Sequence, residues 1–140
     1  MMQNEAIEII KKMLLKSRSK LKTAQIDYDN GRYDDSVSRS YYAVYHCISA
    51  MLLSKDLHFS SHGETIGAFN KEFVKTKLLP VSFTRTIKKL FNERHRGDYD
   101  FESNISSDDA KIGMKGAEKI IVTCEKYLAK IHKVRTDYWI

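Results

Sequence analysis

Between Asp34 and Ser54 the chain carries large apolar and aromatic side chains on two opposite faces of one helix. At ~100° per residue, Val37, Tyr41, Val44, Ile48 and Leu52 fall on one face, and Arg39, Tyr42, His46, Ala50 and Leu53 fall on the other. A helix apolar on both sides has to be covered on both sides, so this one is expected at the centre of the fold. Ser40 to Ser54 is also the longest stretch without Asp, Glu, Lys or Arg. It is shorter than the ~18 residues of a membrane span, which makes it a core helix, and no membrane protein is expected. Central placement implies burial for Arg39 and His46. A buried Arg needs a partner, and a His there titrates near neutral pH.

The remaining pattern supplies the cover. Ile7, Ile10, Leu14, Leu21 and Ala24 recur at helical spacing over about Asn4 to Asp27, and Asp29-Asn30-Gly31 reads as a turn. Asp34 or Asp35 suits the N-cap of the central helix. After a loop from Lys55 to Ser60, Ser61 followed by Glu64 forms a capping box for a third helix with Ile66, Phe69, Phe73 and Val74 on its apolar side. Pro80 and Ser82 open a fourth helix lined by Phe83, Ile87, Leu90 and Phe91, fading near Gly97. A loop from Asp98 to Ile105 leads to Ser106, with Asp109 three residues on, and to a fifth helix with Ala110, Met114, Ala117, Ile121, Cys124, Leu128 and Ile131 on one stripe. One proline and six glycines are too few for the turns of an all-β fold. Short connections favour antiparallel neighbours, so the expected architecture is all-α, an up-and-down bundle of four to five helices. No linker or repeat divides the 140 residues, and 1–140 reads as one domain. Aromatic residues at 11% exclude a disordered chain.

Charge and motifs narrow the function. The formal net charge of +6 makes a polyanion a reasonable partner. Lys11, Lys12, Lys16, Arg18, Lys20 and Lys22 form a basic run, but on a helix they spread around the wheel, as on a solvated surface. No CxxC, HExxH, GxGxxG or P-loop spacing occurs, so neither a metal nor another cofactor is expected. Cys47 and Cys124 lie inside apolar helical patterns and read as buried free thiols, which fits a reducing, cytoplasmic setting. Met1 to Ile10 contains Glu5 and Glu8 and lacks the basic and apolar regions of a signal peptide.

The fourth helix carries the polar signal. Its apolar stripe continues at the same spacing into Arg94 and Asp98, with His95, Arg96 and Tyr99 crowded into the same turns. Together with Ser38-Arg39-Ser40-Tyr41-Tyr42-Ala43-Val44-Tyr45-His46, the downstream His62, Phe69 to Val74 and Leu90 to Tyr99, the pattern resembles that of HEPN domains over about Leu14 to Ile131. It is most similar to the small stand-alone HEPN proteins of bacteria and archaea. The resemblance implies a helical bundle that dimerises, and a two-gene, toxin–antitoxin-like system with a minimal nucleotidyltransferase as partner. It also implies contact with RNA or a nucleotide, through Arg39, Tyr42, His62, Arg94, Arg96, Asp98 and Tyr99. Many members are metal-independent endoribonucleases with an Arg-x4-6-His motif. The aligned Arg is Arg94, but the position of the motif's His is Tyr99 and that of its Tyr is Phe101. An alternative is therefore a ribonuclease that pairs Arg94 with a relocated imidazole, His46 or else His62. In that case His46 is the acid/base, Arg94 stabilises the phosphate charge and Asp98 orients one of them. A further alternative is a non-catalytic dimeric module in which Arg39, His46, Arg94 and Asp98 form one structural network.

Overall fold

The computed structural model describes residues 4–102 and 104–134. Helices α1 (Asn4–Asp29), α2 (Tyr33–Leu53), α3 (His62–Phe69), α4 (Ser82–Tyr99) and α5 (Ser107–His132) follow in that order. A single π-helical turn, Asn70–Val74, continues α3. The described residues contain no strand, and the fold is the all-α bundle that the sequence pattern anticipates.

α2 is the central helix. It packs against α1, α3, α4 and α5. Val37, Tyr41, Val44, Ile48 and Leu52 are all buried. The opposite face is covered in a gradient: Ala50 is buried, Tyr42, His46 and Leu53 are half-buried, and Arg39 is exposed. The expected burial of Arg39 is therefore corrected. α3 is only eight residues long and meets α2 at Tyr41, Tyr42 and Tyr45, so the turn of α2 that carries Arg39 stays at the surface.

Polar groups fasten the neighbours to α2. The hydroxyl of Ser17 donates to the Ala43 carbonyl at 2.6 Å, and that of Ser36 donates to the Ala24 carbonyl at 2.9 Å. Both serines are fully buried, so each hydroxyl finds its partner on the facing helix rather than in water. Gly31, with φ +75°, makes the reversal between α1 and α2, where Gly is favoured because it has no Cβ to clash. α5 is tied to α1 by a forked ion pair, in which Arg18 Nε lies 2.8 Å from a Glu125 oxygen.

Two cap expectations hold and one is corrected. The hydroxyls of Ser61 and Ser106 accept the amide N–H groups of Glu64 and Asp109, at 3.1 and 3.0 Å. Asp34 and Asp35 do not cap α2, which begins at Tyr33 after Arg32. Asp34 instead lies in the first turn and accepts the Ile105 N–H at 3.3 Å, holding down the loop between α4 and α5. Ser103 of that loop lies outside the described residues. Ile131, placed on the apolar stripe of α5 by its spacing, is 53% exposed, and it is Val134, just beyond the helix, that is buried in the core at this end.

The position of α4 depends on close approach to α5. A Cβ at Gly116 would stand 2.7 Å from Cγ2 of Thr86, and one at Gly113 would stand 3.0 Å from a Leu90 methyl. Thr86 is β-branched and stiff at χ1, so it has little room to yield. Gly116→Val is expected to lower unfolding free energy by ~1–3 kcal/mol, the usual range for overpacking. Thr86→Ala in the same chain should recover at least half of that, as read from urea denaturation midpoints. Equal losses in the single and double variants would mean that the two helices do not meet at this point.

Candidate functional site

The site begins with a buried phenol. The Tyr41 side chain is 1% exposed, so its hydroxyl requires a partner inside the protein. That partner is His62, at the first position of α3, whose Nδ1 is 2.6 Å from the Tyr41 oxygen. Burial pushes the Tyr41 hydroxyl well above its ordinary pKa, against the opposing pull of Arg94. His62 shifts the other way, with burial first and the charge of Arg94 second lowering its proton affinity. The buried Tyr41 hydroxyl has no other acceptor among the described residues, so it donates to Nδ1 and the imidazole hydrogen sits on Nε2.

Arg94 reaches the same tyrosines from α4. Its Nη2 donates to the Tyr42 hydroxyl at 2.8 Å. The guanidinium carbon lies 5.2 Å from the Tyr42 ring centre and 5.5 Å from that of Tyr41, within cation–π range of both. Nε is 3.0 Å from Oδ2 of Asp98, one turn further along α4. The alignment is that of an ionic contact, since Nε itself makes no directed hydrogen bond. The Arg94 side chain is 15% exposed and that of Asp98 is 37% exposed, so the pair runs from the core edge outward. This is the graded stripe that the sequence spacing of α4 implies: Phe83, Ile87 and Leu90 are buried, Phe91 is half-buried against Tyr41, and Arg94 and Asp98 follow.

The structure thus gathers Tyr42, His62, Arg94 and Asp98 from α2, α3 and α4. It also adds two residues, one that helical periodicity assigned to the core and one that it assigned to neither face. Tyr41 falls on the core face, yet its oxygen serves the site. Tyr45 stacks on His62, with ring centres 4.1 Å apart and planes 19° from parallel. The signal for both was the i, i+4 spacing of two tyrosines on the helix that the fourth helix crosses. Other candidates lie apart. Arg39, Arg96 and Tyr99 are exposed, and the Tyr99 ring rests against His95, 4.8 Å away. His46 turns toward a separate small cavity with Tyr45 in its wall, and burial together with Lys16, Lys20 and His62 lowers its proton affinity. No contact among the described residues joins His46 to Arg94. Nor do the described residues include a His/Cys/Asp/Glu group arranged to hold a metal ion, and no helix among them is long and apolar enough to cross a membrane. Cys47 and Cys124 are free and buried.

Comparison with known proteins agrees with this architecture. The HEPN domain family model matches residues 10–127. A protein of Methanocaldococcus jannaschii named "Putative toxin MJ0142" is 30% identical over 119 residues, covering 85% of this chain and 81% of that protein. A UPF0332 protein of Thermotoga maritima is 32% identical over 130 residues, covering 93% and 98%. The crystal structure of TT1696 from Thermus thermophilus superposes with a TM-score of 0.71 over 84% of this chain and 96% of that one, at 16% identity, which shows a shared fold.

The lowered imidazoles of His46, His62 and His132 set a pH dependence. Their proton affinity is below the ordinary value of 6.5, so the unfolded chain takes up protons first as pH falls. The stability from keeping them neutral is fully present above that value and is lost as pH drops toward their folded values. Unfolding free energy should hold steady above about pH 7 and decline as pH falls below about 6.5, with a shallower decline in His62→Gln. An identical decline in His62→Gln would separate His62 from the effect.

Proposed function

The chain belongs to the HEPN domain family, and from that premise we infer that it binds RNA or a nucleotide at the phosphate, with Arg94 at the centre of the site. It would do so as the toxin-like half of a two-gene system. One observation carries this reading: Arg94 and His62 meet on the same two tyrosines, and both carry hydrogen-bond donors, a guanidinium and, with Nδ1 accepting from Tyr41, an imidazole Nε2–H. Two donors at a half-buried position suit an anion. They do not suit proton abstraction from a ribose hydroxyl, because the Nδ1 lone pair that could accept is already taken by Tyr41. The position where the family's catalytic His would fall is Tyr99, and an ordinary phenol ionises near pH ~10. Retained anion recognition without a placed general base favours binding over cleavage. Arg96, exposed on the last turn of α4, adds positive charge beside the site.

The partner reading rests on the same end of the molecule. Tyr99 and Phe101 are exposed, the latter completely, and lie five and seven residues beyond Arg94. Exposed aromatic side chains of this kind favour coverage by a protein, either a second copy or a minimal nucleotidyltransferase. The relatives named as toxins support the two-gene setting.

Retention of mixed single-stranded RNA, measured with EDTA present, should fall at least ~10-fold in Arg94→Ala. Arg94→Lys should recover little, because a lysine lacks the planar fork and the stacking on Tyr42. Wild-type protein should leave the RNA uncut. Metal-free cleavage lost in both His46→Ala and Arg94→Ala would overturn the binding reading in favour of a ribonuclease with a relocated acid/base. RNA retention unchanged in a folded Arg94→Ala would remove Arg94 from the site.

A further inference from the structure

A second feature lies on the other flank of Tyr45. A cavity of about 200 Å³ opens between α1, α2 and the segment joining α2 to α3, and Met13, Tyr45, His46, Leu57, His58 and Phe59 line it. Four of those six side chains are flat rings. The volume lies below the ~300–1,000 Å³ of clefts that enclose drug-sized ligands, and matches a single planar ring system better than a whole nucleotide. Ser49 also lines the cavity, and its hydroxyl hydrogen is committed to the Tyr45 carbonyl at 2.8 Å. Its oxygen is left as an acceptor for an N–H entering the cavity. The His46 ring also lines the cavity and stands edge-on to Tyr45.

Two lysines of α1 lie near the cavity without lining it. Met13, Lys16 and Lys20 lie at i, i+3 and i+7 on α1 and so share one face of that helix. Both lysines are close enough to His46 for their charge to lower its proton affinity. Neither forms an ion pair among the described residues. Two free cations beside an aromatic slot are complementary to a base joined to a phosphate, and less so to an apolar protein side chain.

We propose that this cavity is a base pocket that takes one unpaired nucleobase of an RNA strand, with the adjoining phosphate on Lys16 and Lys20. The proposal rests on the nucleic-acid reading of the Arg94 cluster and gives that reading a source of selectivity. Bases splayed out of single-stranded RNA are held by stacking on aromatic side chains and by hydrogen bonds to their edges, and both groups are present here. Tyr45 belongs to both sites, with its ring face on His62 and its side chain in the cavity wall, so a strand crossing α2 meets the pocket and Arg94 in succession. The basic run of α1, which the helical wheel spreads around the surface, thereby acquires one directed pair.

The test uses the full chain and NMR of its histidine ring protons, with AMP and UMP as probes and ribose 5-phosphate and indole as controls. A nucleoside monophosphate should shift His46 and His58 in a saturable way. Ribose 5-phosphate should not, because it offers the phosphate without the ring. Phe59→Ala should weaken the response about 5-fold or more, read at His58. Should that variant fail to fold, exposed His58→Ala serves instead, read at His46. Monophosphates that leave both imidazoles unmoved would overturn the pocket. Monophosphates that move them no more than indole does would also overturn it, and would assign the cavity to a partner's apolar side chain. A third result against it is an oligoribonucleotide that binds wild type through Arg94 and binds equally well when one base is removed, which would leave the Arg94 site standing.

Discussion

The Tyr41 hydroxyl sits where water does not reach, and much of the site follows from satisfying it. An unpartnered buried hydroxyl costs ~1–3 kcal/mol, a large fraction of the stability of a chain this size. The residue that answers it, His62, is fixed by the start of α3, which in turn is fixed by the Ser61 cap. The imidazole can accept from Tyr41 only while neutral, and burial with the nearby Arg94 charge keeps it so. Arg94 then finds two electron-rich ring faces and one phenol oxygen rather than a second carboxylate. A helix cap, a phenol, an imidazole and a guanidinium are thus arranged by local requirements, each of which narrows the next.

The same chain of requirements explains what periodicity could and could not reveal. The central position of α2 was legible because two apolar faces leave no alternative, and all five residues of its first face are buried. The graded stripe of α4 was legible because Arg94 and Asp98 continue an apolar row at helical spacing. Arg39 was not, because a helical wheel treats every turn alike, whereas α3 covers α2 over only part of its length. Asp34 looked like a cap because its residue type suits one, and the pattern had no means of showing that its carboxylate is engaged by Ile105, distant in sequence. The convergence of His62 with Arg94 depends on the packing of three helices, and spacing within any one of them is silent about it. The resemblance to HEPN domains selected both residues without indicating that Tyr41 and Tyr45 join them.

Arg94 makes two contacts of unequal strength. Its Nη2 donates to the half-buried Tyr42, and a hydrogen bond from a charged donor is worth ~1.5–3 kcal/mol. Its Nε is itself out of solvent and faces Asp98 without being aligned as a hydrogen bond, and the carboxylate is the more exposed end of that pair. A part-exposed ion pair of that kind is worth ~0–1 kcal/mol and weakens further with salt. The stronger contact is the one between helices, so the placement of the guanidinium depends on the α2–α4 contact more than on Asp98, its neighbour one turn along α4.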